Sequence, residues 1–155
     1  MTLAALETRV PPPLVAAMVA LAMYGARARG LALPLDRPAR IAVASLLAVA
    51  GLVVALAAVL AFRRARTTID PHRIDKVSTL VTHGVFAVTR NPMYLGVALL
   101  LTGWATYLGT LPVFLGPGLF VAWITRFQIV PEERLLSARF GDAFETWRRQ
   151  TRRWL

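Results

Sequence analysis

The run IAVASLLAVAGLVVALAAVLAF, residues 41–62, contains no charged residue and is bounded by Arg40 and Arg63. As an α-helix, it is long enough to cross about 30 Å of hydrocarbon. The chain has 155 residues, of which 57% are hydrophobic, yet it contains 18 Lys+Arg against 8 Asp+Glu and has a net charge of +10. A nucleic-acid-binding protein could have this charge, but it would not need such an apolar run. The composition therefore favours an integral membrane protein with basic ends and no nucleic-acid partner.

Three further apolar segments accompany this run, at residues 12–26, 94–108 and 111–129. The last two are separated by little more than Gly109-Thr110, which predicts a helical hairpin. We therefore predict an all-α integral membrane protein with about four transmembrane helices. The chain is interpreted as one domain, 1–155, with two N-terminal spans in 1–62 and the polar clusters described below in 63–155.

The basic residues are distributed unevenly between the two sides of such a bundle. With an even number of spans, the N-terminus, the middle loop and the C-terminal tail lie on one side, and this side has 14 of the 18 basic residues. Because cytoplasmic loops are enriched in Lys and Arg, we expect the middle loop and the tail in the cytoplasm. The expected membrane is the inner membrane of a bacterium.

The C-terminal tail has the pattern of a surface helix. Apolar residues recur every three or four positions, at Leu136, Phe140, Phe144 and Trp147, with arginines elsewhere around the helix. This spacing predicts an amphipathic helix in which Gly141 is a modest interruption. Such a helix could lie on the membrane surface or pack against the loop that precedes the third span.

The residue types exclude several kinds of chemistry. The chain has no cysteine, so disulfides, thiolate metal sites and a catalytic thiol are excluded. The two histidines show no HExxH or similar spacing, and we expect no metal ion.

Two clusters of polar residues surround the start of the third span. Residues 78–86, STLVTHGVF, are mildly apolar and rich in β-branched residues, which predicts an ordered loop or a strand. This loop either lies on the bilayer surface or offers its backbone groups to a ligand. Arg90 and Tyr94 surround Asn91-Pro92, where a helix is expected to begin. Arg90 could be a snorkelling anchor and Tyr94 an interfacial residue, but together they form a helix N-terminus suited to an anionic group.

A third cluster occupies the end of the fourth span, at residues 126–133. Arg126, Gln128 and Glu132 would lie near one face of a helix that continues through Pro131 with a bend. The acidic pair Glu132-Glu133 could simply favour the dipole of the helix that follows. Ionisable groups that face the interior of a membrane bundle are, however, candidates for function.

In this order, LVTHGVFAVTRNPMYLG at 80–96 and EERLLSARFGDAFETWRR at 132–149 resemble the isoprenylcysteine carboxyl methyltransferase family. That family belongs with small integral-membrane methyltransferases that include the phospholipid N-methyltransferases. The resemblance covers residues 67–150, and the first two spans match only in kind. It implies that 63–155 is a cofactor-binding core and that a methyl group passes from S-adenosylmethionine, leaving S-adenosylhomocysteine. The implied acceptor is a lipophilic carboxylate or thiol, similar to isoprenylcysteine, or another small lipophilic molecule or lipid taken from the membrane.

The resemblance also implies roles for individual residues. Those implied to bind the cofactor are Ser78, Thr79, Leu80, Val81, His83, Gly84, Phe86, Asn91, Pro92, Met93, Tyr94, Glu132 and Glu133. His83 could equally be an ordinary loop residue. Arg90 and Arg126 are implied to act in catalysis by orienting an anionic substrate, and Arg126 and Gln128 to bind it.

Two positions depart from the pattern of the family. Asn91 replaces a histidine, which keeps a hydrogen-bonding group but loses a titratable one. Gln128 replaces the arginine that contacts the substrate carboxylate, so Arg126 or Arg90 would have to supply that charge.

Two other functions stay open. A membrane sterol-type reductase has a related pocket but binds a nicotinamide nucleotide, so a cofactor-binding experiment distinguishes it. A non-catalytic adaptor could bind anionic lipid through its basic helix, but it would not need the three polar clusters.

Overall fold

The computed structural model describes residues 7–65 and 79–155. The described residues contain no β-strand, and the predicted all-α class is confirmed. The helices are α1 (Pro12–Ala26), α2 (Arg37–Arg64), α3 (Pro92–Leu108), α4 (Leu115–Ile124), α5 (Val130–Phe140) and α6 (Asp142–Gln150). Short 3₁₀ turns occupy Gly84–Ala87 and Leu111–Phe114.

Two helical stretches, Arg37–Arg64 and Leu111–Phe140, are long and apolar enough to cross a membrane. The second stretch is continuous from the 3₁₀ turn through α5. The helices α1 and α3 are apolar but shorter, so the count of four spans stays a prediction. The second span begins at Arg37, before the predicted Ile41, because the Asp36 side chain accepts a hydrogen bond from the Ala39 N–H at 2.9 Å and caps the helix.

The helices α2 and α3 are in backbone contact. A Cβ on Gly96 would lie 2.6 Å from the carbonyl oxygen of Gly51, and one on Gly103 would lie 2.9 Å from that of Ala44. Only glycine allows helices to approach this closely, as at helix contacts within membranes. The opposite face of α2 exposes large apolar side chains, which include Leu46, Val49, Val53 and Leu56. This face is suited to hydrocarbon.

The helix α1 packs on α3 and α4 around a core that includes Val15, Met23, Phe120 and Ile124. The predicted hairpin is present: α3 ends at Gly109, whose φ of 75° allows the turn, and the chain returns through α4. These contacts bring the N-terminal end of α1 close to the end of α4.

Between α4 and α5, residues Thr125–Ile129 form one π-helical turn, in which the Val130 N–H bonds to the Thr125 carbonyl. The extra residue changes the direction of the side chains that follow it. Arg126 and Gln128 contact the N-terminal segment, whereas Glu132 faces α3. These three side chains therefore do not converge as a continuous α-helix would predict.

The tail forms two helices, not the single helix predicted. Gly141, with φ 52° and ψ −126°, ends α5 and redirects the chain into α6. Phe144 and Trp147 are buried, and the Trp147 Nε1–H donates to the Phe86 carbonyl at 3.0 Å. Of the two predicted arrangements, the tail adopts the one that packs against the loop before α3.

Candidate active site

A cavity of about 420 Å³ lies where α3, α5, α6 and the loop at 79–91 meet. Many of the predicted site residues line it: Thr79, Leu80, Val81, Phe86, Arg90, Asn91, Pro92, Met93, Tyr94, Glu132 and Glu133. Ser78 lies outside the described residues. His83 and Gly84 are exposed at the adjoining turn and are not among the lining residues.

The central polar contact joins Tyr94 and Glu132. The Tyr94 O–H donates to Glu132 Oε1 at 2.7 Å. Tyr94 lies in the first turn of α3 because Pro92 occupies the start of that helix. Glu132 lies at the beginning of α5, directly after the π-helical turn that directs its side chain toward α3. Within the described residues, the hydrogen-bond partner of Glu132 is Tyr94. The second oxygen of the Glu132 carboxylate, Oε2, can accept a bond from a cationic ligand.

The apolar lining of the cavity belongs to two different core clusters, and we call its two parts outer and inner from their positions along α3 and α5 relative to this pair. The outer part is mostly aromatic and is lined by Phe86, Phe144, Trp147 and Leu136. The inner part is aliphatic and is lined by Val97 and Ile129, and the prolines that begin α1, Pro12 and Pro13, also line the cavity. Val97 lies one turn after Tyr94 along α3, and Ile129 lies one turn before Glu132, so both are deeper in the bundle than the polar pair.

Glu133 is held by two arginines. Arg90 Nη2 bonds to Oε1 at 2.9 Å, and Arg153 makes a bidentate contact with Nε–Oε1 at 3.0 Å and Nη2–Oε2 at 2.7 Å. The bond to Glu133 raises the pKa of the Arg153 guanidinium. Glu133 therefore differs from its neighbour Glu132, because its charge is already balanced within the protein.

The role of Arg153 was not predicted from the sequence. TRRWL, residues 151–155, has the appearance of a basic tail, and its local pattern contains no signal that it returns to residues 89–91. The contacts involve residues more than fifty positions apart, such as the parallel bridge between Thr89 and Arg152.

The structure places the two other residues of the expected substrate site away from the cavity. Arg126 is exposed and pairs with Glu7 at 2.7 Å. Gln128 is fully buried, and its Nε2 donates to the Val10 carbonyl at 2.8 Å. Neither is among the residues that line the cavity.

The sequence profile of the phospholipid methyltransferase family matches residues 39–143. This match includes α2, α3, α4 and α5, and therefore both members of the Tyr94–Glu132 pair. The chain belongs to the phospholipid methyltransferase family. The match also reaches into α2, which the resemblance of residues 67–150 did not cover. The expected relation to small membrane methyltransferases is confirmed at the level of this family.

A bacterial protein is similar to part of this phospholipid methyltransferase family member. An uncharacterized protein of Haemophilus influenzae is 40% identical over 63 residues, which are 41% of this chain and 100% of that protein. No solved structure matches the chain.

Proposed function

We propose that this protein is an integral-membrane enzyme that transfers a methyl group from S-adenosylmethionine to a lipophilic acceptor. One observation carries the proposal: a single cavity brings the Tyr94–Glu132 pair together with both aromatic and aliphatic lining residues. Membership of the phospholipid methyltransferase family supports the reaction class.

The outer part of the cavity fits the cofactor. Phe86, Phe144 and Trp147 offer aromatic surface for an adenine ring, and the backbone at 79–81 offers hydrogen-bonding groups beside it. Glu132 fits the amino group of the methionine end because its carboxylate is a charge-assisted acceptor. The start of α3 at Asn91-Pro92 fits the carboxylate, since helix N-termini present free N–H groups to anions.

The sulfonium of the cofactor supplies a methyl group that is already activated. The protein therefore needs no metal ion or nucleophilic side chain, and its tasks are to align two ligands and exclude water. Glu132 and Tyr94 would fix the cofactor side of this alignment. Val97 and Ile129 would hold the acceptor in the aliphatic part, which a lipid could enter from the bilayer beside Pro12 and Pro13.

The charges around the cavity favour an acceptor that is not an anion. Among the described lining residues, the arginine is Arg90. Its two Nη atoms donate to Glu133 and to two main-chain carbonyls, and its buried Nε has no partner among the described residues. Arg126 is paired with Glu7. Within residues 7–65 and 79–155, every lining cation therefore already has an acidic partner. A neutral or cationic head group, such as an amine, fits better than the carboxylate suggested by the resemblance.

The test is calorimetric titration of the detergent-purified protein with S-adenosylhomocysteine. We expect the Glu132→Gln variant to bind S-adenosylhomocysteine at least about tenfold more weakly than the wild type, because a hydrogen bond to a charged group contributes about 1.5–3 kcal/mol. Glu145→Gln is the matched control, since Glu145 lies on α6 and contacts Ser137 and Arg148 instead of lining the cavity. Folded wild-type protein that does not bind S-adenosylhomocysteine, or that binds a nicotinamide nucleotide instead, contradicts the proposal.

A further inference from the structure

The segment after α6 crosses the start of α3 and binds it through main-chain carbonyls. The Arg90 N–H donates to the Arg152 carbonyl at 3.0 Å, and the Asn91 side chain donates to the Arg153 carbonyl at 2.9 Å. The Arg90 guanidinium also donates to the carbonyls of Arg148, at 3.0 Å, and of Thr151. These contacts fix the two residues that precede Pro92.

The Arg153 side chain has a separate function in this arrangement, because its bidentate contact reaches Glu133 on α5. The Glu133 side chain is only 12% exposed and that of Arg90 only 9%, whereas Arg153 is 37% exposed. A carboxylate so shielded from water depends on its partners more than a surface acid does. Loss of Arg153 would leave Glu133 with Arg90 as its charged partner.

Glu133 lies next to Glu132 in the chain, and both line the cavity beside the start of α3. Two arginines share the single carboxylate of Glu133, so the cluster has a net charge of +1, and loss of Arg153 would remove this positive charge from beside Asn91-Pro92. This helix start is the part of the cavity best suited to an anionic group, and the loss of a positive charge beside it would weaken the binding of that group.

We infer that Arg153 is a positioning residue of this site. It holds Glu133 by both carboxylate oxygens, so that Glu132 alone presents a carboxylate to the ligand cation, and it gives the cluster beside the start of α3 a net positive charge that favours the ligand carboxylate. The inference rests on the proposed function of the same cavity. The profile match ends at residue 143, so Arg153 and its contacts come from this chain's own structure.

The experiment compares Arg153→Gln with Arg152→Gln in the full-length, detergent-purified protein. Both variants lose one positive charge, but the Arg152 side chain is exposed, and the contacts of Arg152 with Thr89 and Arg90 are main-chain contacts that survive the substitution. We expect Arg153→Gln to weaken S-adenosylhomocysteine binding about tenfold, which corresponds to about 1.4 kcal/mol. Arg152→Gln should bind like the wild type.

Two readouts distinguish positioning from general support of the fold. First, the Arg153→Gln substitution should weaken the binding of S-adenosylhomocysteine much more than the binding of 5′-methylthioadenosine, which lacks the amino-acid end. Second, Glu133→Gln added to Arg153→Gln should recover most of the lost affinity, because Arg90 then gives the cluster the same net charge of +1 as in the wild type. Arg153→Lys keeps the charge and should be intermediate.

Equal S-adenosylhomocysteine affinity in Arg153→Gln and wild type would overturn the inference, as would a loss that the double variant does not recover. Either result leaves the proposed function intact if the wild type binds. A folded wild type that binds no S-adenosylhomocysteine contradicts the proposed function first and the inference with it.

Discussion

Tyr94 contributes to the cavity both through its position on α3 and through its hydroxyl group. Its phenol ring packs against the core of the bundle, and its O–H binds Glu132. We expect Tyr94→Phe to keep the packing but to weaken S-adenosylhomocysteine binding about three- to tenfold, because Glu132 loses its donor and its fixed orientation. Calorimetry measures this loss. Tyr107→Phe is the control, since Tyr107 is 49% exposed and lies near the opposite end of α3. Equal weakening in both variants would contradict the role of the Tyr94 hydroxyl.

Among individual residues, the sequence predicted some of the cavity residues better than others. Tyr94 and Glu132 belong to local motifs at helix starts, and their types and spacing are visible in the chain. Arg126 and Gln128 also belonged to a motif, but the π-turn and the contacts with Glu7 and Val10 determine where they point. Such long-range contacts leave no local signal in the sequence.

Among the elements, the α2–α3 pair makes the closest contact, and Gly96 allows it. We expect Gly96→Ala to destabilise the protein by about 1–3 kcal/mol, because its new methyl group would meet the Gly51 carbonyl oxygen. Gly118→Ala is the matched control, because Gly118 lies in α4 with open space around it. There the substitution should be neutral or stabilise by up to about 1 kcal/mol. Thermal unfolding in detergent, followed by circular dichroism, measures both. A Gly96→Ala variant as stable as Gly118→Ala would contradict the contact.

The helices themselves were largely predictable, because apolar runs, prolines and glycines indicate them directly. The breaks within them were harder to predict. Gly141 was expected to interrupt one tail helix, but its positive φ ends α5 and starts α6 in a new direction. The π-turn at Thr125–Ile129 has no composition of its own, since an extra residue in a helix is accommodated by its surroundings.

Across the whole molecule, the two parts of the cavity can be tested independently. Val97→Phe fills the inner part, and we expect it to raise the KM for a long-chain acceptor about tenfold while the cofactor Kd stays nearly unchanged. Leu136→Trp fills the outer part and should have the opposite effect. Leu135→Trp is the control for the second variant, because Leu135 is its neighbour on α5 and is 50% exposed.

Steady-state kinetics and calorimetry give the two quantities separately. If Val97→Phe and Leu136→Trp impair the same ligand, then the division of the cavity at Tyr94–Glu132 does not correspond to two ligand sites.

The glycine contact between α2 and α3 also has a mechanical consequence. Because the backbones of α2 and α3 are in direct contact, we expect these two helices to move together as one rigid unit. On the other side of the cavity, the chain changes direction at the π-turn and at Gly141, and the Glu133–Arg90 ion pair links α5 to the start of α3. We therefore expect the cavity to open for ligand release by a movement of α5 and α6 about these two bends. The rate of opening would depend on how often the Glu133–Arg90 ion pair breaks.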